Sequence, residues 1–149
     1  MHTGIRRASV ADIDTLFDIR TSVRQNHLSR EQLAELGITP ATLREALAAG
    51  PCAWIAEVDG RAGGFAMVDA ESGEVFALFV RPDCEGRGLG SLLLAVAEQE
   101  LFRTHEKIWL VTDGDDGIRA NGFYRQRGWT LAGRVDGRDV RYEKSRAQN

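Results

Sequence analysis

The chain has 149 residues, 43% of them hydrophobic and 28% charged, with a formal net charge of −3. That length supports one domain around one core, and the composition is globular rather than disordered or fibrous. The negative balance argues against a surface that embraces nucleic acid, and no stretch approaches the roughly 20 apolar residues of a membrane span.

The opening MHTGIRRASVADID lacks the apolar core of a signal peptide, so a cytoplasmic location is expected. Residues 5–8 read as a short strand. Ser9 with Asp12 resembles a capping box, and Ile13, Leu16, Phe17 and Val23 recur at helical spacing, which predicts a first helix over about residues 10–24. Ser29 with Gln32 starts a second helical piece that Gly37 stops. Thr39 before Pro40 caps a third, carrying Leu43, Ala46 and Leu47.

The period then changes. CAWIAEV and AGGFAMVDA are strand-like, and the Asp59-Gly60 pair between them is a strong hairpin signal. EVFALFV follows with little polar alternation, as expected of a strand covered on both faces. Leu92, Leu93, Val96, Ala97 and Leu101 mark a helix to about Arg103. KIWLVT is a strand, DGDDG a loop, IRANGFYRQRG a short helix, and WTLAGRV with DVRYEK a closing hairpin around Asp136-Gly137. These elements predict an α+β (mixed α/β) domain over residues 1–149, with a central twisted mixed sheet of about six or seven strands flanked by helices on both faces and a frayed tail over about 145–149.

The segment RPDCEGRGLGS, residues 81–91, hands a buried strand over to a buried helix. Such a junction exposes the helix's first N–H groups at the positive end of its dipole. Gly86, Gly88 and Gly90 remove side chains that would hold a diphosphate away from those amides, and Arg81 and Arg87 add positive charge. A plain turn with permissive glycines is the simpler alternative. A Walker A loop is ruled out, because the Gly-Lys-Ser/Thr end is missing. A dinucleotide fingerprint stays open as a competitor, although the spacing is GxGxG, the turn lies in mid-chain, and no acidic residue ends the next strand.

Two motifs together resemble the GNAT superfamily of N-acetyltransferases. EGRGLG at 85–90 is similar to that family's (Q/R)xxGx(G/A) turn, and ANGFYRQRGW at 120–129 resembles its AxxFYxxxGF. The resemblance runs from about Ile5 to Lys144 and implies a GNAT-like acyl-CoA N-acyltransferase fold that uses acetyl-CoA as cosubstrate. It implies that Leu78, Phe79 and Val80 offer backbone hydrogen bonds to the pantetheine arm as an added strand would. It further implies that Gly86, Arg87, Gly88, Leu89, Gly90 and Ser91 cradle the diphosphate, and that Tyr124 stands at the thioester sulfur. Two positions depart from the pattern. Glu85 replaces the usual Gln or Arg, and the asparagine that many members carry ahead of the tyrosine is Gly117 here, with Asn121 about one helical turn away.

Acetyl transfer needs a neutral amine, and a lysine-like amine of pKa about 10.4 requires roughly 4–5 kcal/mol to lose its proton at pH 7. Glu74 stands where the histone-acetylating branch of the family carries its glutamate base, and burial beside Val75, Phe76 and Ala77 would raise its pKa toward that task. The alternative is a solvated strand end. A phenol transfers its proton to a thiolate uphill by about 2 kcal/mol, so Tyr124 would act mainly by hydrogen bonding to the departing sulfur; its structural alternative is a core aromatic beside Phe123 and Trp129.

The remaining candidates are weaker. DGDDG, residues 113–117, fails the spacing of a calcium loop, because position six is Ile118; it reads as a solvated loop or an attractor for a cationic acceptor. His2, His27 and His105 are scattered, so no metal is expected. Cys52 and Cys84 fit no disulfide or zinc pattern and no nucleophile–base pattern, which favours direct attack by the amine over a covalent acyl-enzyme. By the resemblance, Arg24, Gln25 and Asn26 fall where relatives line the acceptor site. The function expected is transfer of an acetyl group from acetyl-CoA to a primary amine, small molecule or protein, in a ternary complex. A non-catalytic acyl-CoA sensor and a dinucleotide-binding oxidoreductase are the alternatives. No nucleic acid or membrane partner is expected, and a homodimer is left open.

Overall fold

The computed structural model describes residues 2–24, 27–114 and 119–147. In chain order these form β1 (Thr3–Arg7), a short 3-10 turn (Val10–Asp12), α1 (Ile13–Ser22), α2 (Arg30–Glu35), α3 (Pro40–Ala49), β2 (Ala53–Val58), β3 (Arg61–Asp69), β4 (Glu74–Val80), α4 (Leu89–Leu101), β5 (Lys107–Asp113), α5 (Arg119–Gln126), β6 (Thr130–Arg134) and β7 (Asp139–Ser145). The seven strands make one mixed sheet in the order β1-β2-β3-β4-β5-β7-β6. β4 and β5 run parallel, joined by the α4 crossover, and the other neighbours are antiparallel.

Local chemistry sets the helix starts. Ser29 and Gln32 exchange backbone-to-side-chain bonds at 2.9 and 3.1 Å, Thr39 and Thr42 do the same at 2.9 and 3.2 Å, and Pro40 opens α3. Asp59 at φ 51° and Gly60 at φ 82° make the tight turn between β2 and β3 that the sequence predicts.

Three boundaries differ from expectation. β1 runs Thr3–Arg7 rather than 5–8, paired along β2 from Val58 to Trp54. The first helix ends at Ser22 because the Thr21 and Ser22 hydroxyls donate to the carbonyls of Phe17 and Ile19 at 2.8 and 2.6 Å, and Val23 is extended. Of the tail expected to fray over about 145–149, Ser145 is still paired opposite Lys107 in β7 and the Arg146 N–H donates to the Glu106 carbonyl at 2.7 Å, while 148–149 lie outside the described residues.

The helices divide between the faces of the sheet. α1 and α3 bury Leu16, Phe17, Ile19, Leu43 and Leu47 over the front of β2–β4. α4 lies on the back and buries Leu89, Leu93, Leu94, Ala97 and Leu101, each leucine contributing about 1.5–3 kcal/mol relative to exposure. Its close seat depends on β3: a Cβ on Gly64 would fall 2.8 Å from the Phe79 carbonyl oxygen and 3.1 Å from Leu93 Cδ1. The first turn of α4 is thereby held down on the sheet where β4 ends.

Candidate active site

The strand junction at the centre of the sheet is incomplete. β4 and β5 register at Glu74 opposite Trp109 and nowhere beyond it, whereas β4 stays paired with β3 up to Val80 opposite Gly64. A bulge begins the divergence. Met67 faces Ala77 and Val68 faces Val75, so Phe76 is an extra residue on β4. From Val75 to Val80 the edge of β4 toward β5 therefore has no strand partner among the described residues, and its alternate N–H and C=O groups open into a wedge. Leu78, Phe79 and Val80 lie along that edge, each half-buried. The edge can take an extended amide-bearing chain by strand addition.

The glycine turn closes the wide end of the wedge. Gly86 at φ 77° and Gly88 at φ 79° are left-handed, which admits glycine with little strain, and Gly88 is the N-cap of α4. A Cβ at either would meet open space, so no protein atom crowds the turn at these two positions. The glycine at 90 has a different reason: a Cβ there would lie 3.3 Å from the Phe123 ring, so Gly90 lets α5 approach α4. Leu89 is fully buried and anchors the turn. Arg81 is turned away from it, its Nε donating to the Ala62 carbonyl at 2.9 Å.

Another cation, one the sequence reading missed, stands there instead. The Arg127 guanidinium stacks 3.8 Å over the Phe123 ring and donates from Nε to Ser91 Oγ at 3.0 Å. The first turn of α4 has no acidic residue to meet its dipole. Cations at a helix N-terminus are disfavoured by about 0.3–1 kcal/mol unless an anion joins them, so the turn, Arg87 and Arg127 together suit a diphosphate. Arg127, in the turn just past α5, lies at i+4 from Phe123, the one sequence signal that pointed to their stacking.

Tyr124 is presented by α5. The helix is fixed at its start by Asn121, whose Nδ2 donates to the Asp113 carbonyl at 3.1 Å while its Oδ1 accepts from Tyr142 Oη at 2.9 Å. Asn121 is therefore committed to positioning α5 against β5 and β7. At the other end, Trp129 Nε1 and Lys144 Nζ converge on Glu98 of α4 at 3.0 and 2.6 Å. Between these anchors the Tyr124 ring packs 5.9 Å from Tyr142 and 6.1 Å from Trp129. No described residue hydrogen-bonds its hydroxyl, and burial alone pushes the phenol above its ordinary pKa, which keeps it a proton donor.

Glu74 approaches from the other face. It registers with Asp69 and Trp109 on the front of the sheet, while Tyr142, and Tyr124 against it, lie on the back with Leu110. Burial first, then repulsion from Asp69, raises the Glu74 carboxyl, and Arg141 opposes them. Arg141 itself lies 4.4 Å over the Trp109 ring and is bonded to Glu143 at 3.0 Å. The two candidate acid–base groups thus lie on opposite faces of the sheet, and no hydrogen bond joins them.

The remaining candidates are quickly placed. Glu85 and Arg87 are exposed, and Asp113 pairs with Arg138 at 2.9 Å. Asp115, Asp116, Gly117, Gln25 and Asn26 lie outside the described residues; Arg24 is exposed. Among the described residues no cluster of three or more His, Cys, Asp or Glu forms a metal site, and no helix is long and apolar enough to cross a membrane. Cys52 and Cys84 are buried free thiols, both raised in pKa chiefly by that burial.

The fold recurs in known proteins. The chain is 30% identical over 81 residues to an uncharacterised N-acetyltransferase of Methanocaldococcus jannaschii, covering 52% of each, so it spans about half the length of the curated relative it matches. Its fold is similar to that of the PaiA N-acetyltransferase of Thermoplasma acidophilum, solved in complex with coenzyme A (TM-score 0.79, 19% identity, 98% of this chain and 100% of that one). A Bacillus cereus acetyltransferase of the GNAT family is similar too (TM-score 0.74, 16% identity, 99% and 100%). The dinucleotide reading loses its ground, since the glycine turn follows the fourth strand of a mixed sheet rather than opening a parallel one. The sequence profile of the acetyltransferase (GNAT) family matches residues 13–129, well over half of the chain, and the chain belongs to that family.

Proposed function

We propose that the protein transfers the acetyl group of acetyl-CoA to a primary amine by direct attack, with both substrates bound at once. The observation that carries this reading is the wedge. A sheet that parts after one parallel register pair, with a bare β4 edge at one side and an uncrowded glycine turn leading into α4 at its wide end, fits a pantetheine arm and its diphosphate. Gly86, Gly88 and the first-turn amides of α4 hold the diphosphate, Arg87 and Arg127 neutralise it, and Leu78, Phe79 and Val80 align the arm. Tyr124 donates a hydrogen bond toward the sulfur as charge develops there. Glu74, its pKa raised by burial, accepts the amine's proton on the front face, directly or through water. Both cysteines are buried and burial raises their pKa, which disfavours a thiolate nucleophile and supports direct transfer.

The test pairs thermal shift with thiol release. Acetyl-CoA at about 100 times its Kd should add about 2.7 kcal/mol, or several degrees. An amine panel should then release free CoA thiol. Stabilisation by NADH but not acetyl-CoA would overturn the reading, and stabilisation without thiol release from any amine would favour a sensor.

A further inference from the structure

On the front face, alongside the wedge, α1 and α2 roof a cavity of about 200 Å³ whose floor is β3 and β4. Its walls include Phe17, Leu28, Leu33, Met67 and Phe76, and among the described lining residues Arg20 is the single polar side chain. Cavities for drug-sized ligands run about 300–1,000 Å³, so this one suits something near the size of a single amino acid. Its floor continues along β4 through Ala77 and Phe76 to Glu74, whose side chain shares that face.

Arg20 is the informative residue. Its guanidinium lies 4.2 Å over the Phe79 ring, and Nη1 is buried without a hydrogen-bond partner. Burial alone lowers its pKa, the sign of a cation short of compensation. A charged donor left unsatisfied is costly, and a carboxylate accepting from it in a low-dielectric pocket gains a strong, charge-assisted bond. Among the described residues no acidic side chain lines the cavity, so a polyamine would meet one positive charge and no negative one there. A purely hydrocarbon amine would fill the space and leave Nη1 unpaired.

We propose that the acceptor is a free amino acid with a branched or aromatic apolar side chain, its carboxylate on Arg20, its side chain in the cavity and its amine toward Glu74. This rests on the acetyltransferase reading above and names its substrate class. The amine nitrogen forms a bond to the acetyl carbonyl carbon as the carbon–sulfur bond breaks. The sulfur leaves with the bonding pair and takes a proton from solvent to give free CoA thiol, the acceptor's proton passes through intervening water to Glu74 and on to solvent, and the product is an N-acetyl amino acid.

Thiol release measured on matched pairs, leucine against leucinamide and phenylalanine against phenylalaninamide, with spermidine alongside, tests the assignment. The free acids should exceed their amides in kcat/KM by about 10- to 100-fold, the worth of one charged hydrogen bond. Arg20→Met should erase that preference by raising KM for leucine, change the amide by about twofold or less, and leave stabilisation by acetyl-CoA intact; Arg20→Lys should keep part of it. Amides or spermidine used as well as the acids, or an Arg20→Met loss equal for acid and amide, would overturn the proposal while the acetyltransferase reading stands. Failure of acetyl-CoA to stabilise the protein, with no thiol from any amine, would overturn both.

Discussion

Replacing Tyr124 with Phe removes one oxygen and keeps the ring stacked 5.3 Å from Phe123, 6.1 Å from Trp129 and 5.9 Å from Tyr142. The lost hydroxyl bonds no described residue, so the net contribution of about 1 kcal/mol from an ordinary hydrogen bond is not forfeited. At about 2–4 °C per kcal/mol for a chain of this size, the melting temperature should stay within about 3 °C of the parent's. Turnover should behave very differently. A donor placed where charge develops is worth about 2.7–4 kcal/mol, so kcat should fall by about 10²–10³ with Kd for acetyl-CoA little changed. Thiol release at saturating acetyl-CoA reads the first quantity and thermal shift the second. A kcat within about threefold of the parent would refute the role, and a drop of more than about 5 °C would show that the hydroxyl is structural.

Glu74 works as a base when ionised, so kcat should rise with pH through its raised pKa; Glu74→Gln should lower kcat by about 10²-fold or more and flatten that acidic limb. A parent-like profile in the variant would remove Glu74 from the reaction. Gly64→Ala forces a Cβ to 2.8 Å from the Phe79 carbonyl, so β4 or α4 must shift at a cost of about 1–3 kcal/mol. Lower melting temperature and higher KM for acetyl-CoA should appear together, and neither changing would contradict the seating of α4. Arg6 bonds both oxygens of Asp12 at 2.9 Å and lowers its carboxyl from 3.8 to about 2. Because the folded pKa lies below the unfolded one, that stabilisation is full above about pH 4 and lost as pH falls toward about 2. With Arg6 partly exposed, Arg6→Met should cost about 1 kcal/mol at pH 7 and nothing near pH 2, measured by urea unfolding at both pH values.

What the sequence disclosed was local. The Ser29–Gln32 capping pair, the Thr39-Pro40 helix start and the Asp59-Gly60 turn each depend on neighbours a few positions away and took their expected form, and the glycine stretch falls between β4 and α4 as expected. What it withheld depended on residues brought together from afar. Arg127 and Ser91 are 36 positions apart, and no periodicity links them. The bulge at Phe76 parts β4 from β5 yet leaves no mark on the apolar run EVFALFV. Gly90 read as a phosphate glycine and also serves helix packing, since Phe123 comes from a later element. Arg20 sat unnoticed on a predicted amphipathic helix, because its missing partner is a property of the assembled cavity. Arg81, counted as a cation for the turn, is drawn off by the Ala62 carbonyl of the neighbouring strand.

Backbone amide chemical-shift mapping during titration with coenzyme A tests the wedge most directly. The largest shifts should fall on Gly86 and Gly88 through Ser91, with a second set at Leu78, Phe79 and Val80 along the open edge of β4. Binding that leaves those amides still while another surface responds would contradict the placement of the coenzyme and every residue role built on it.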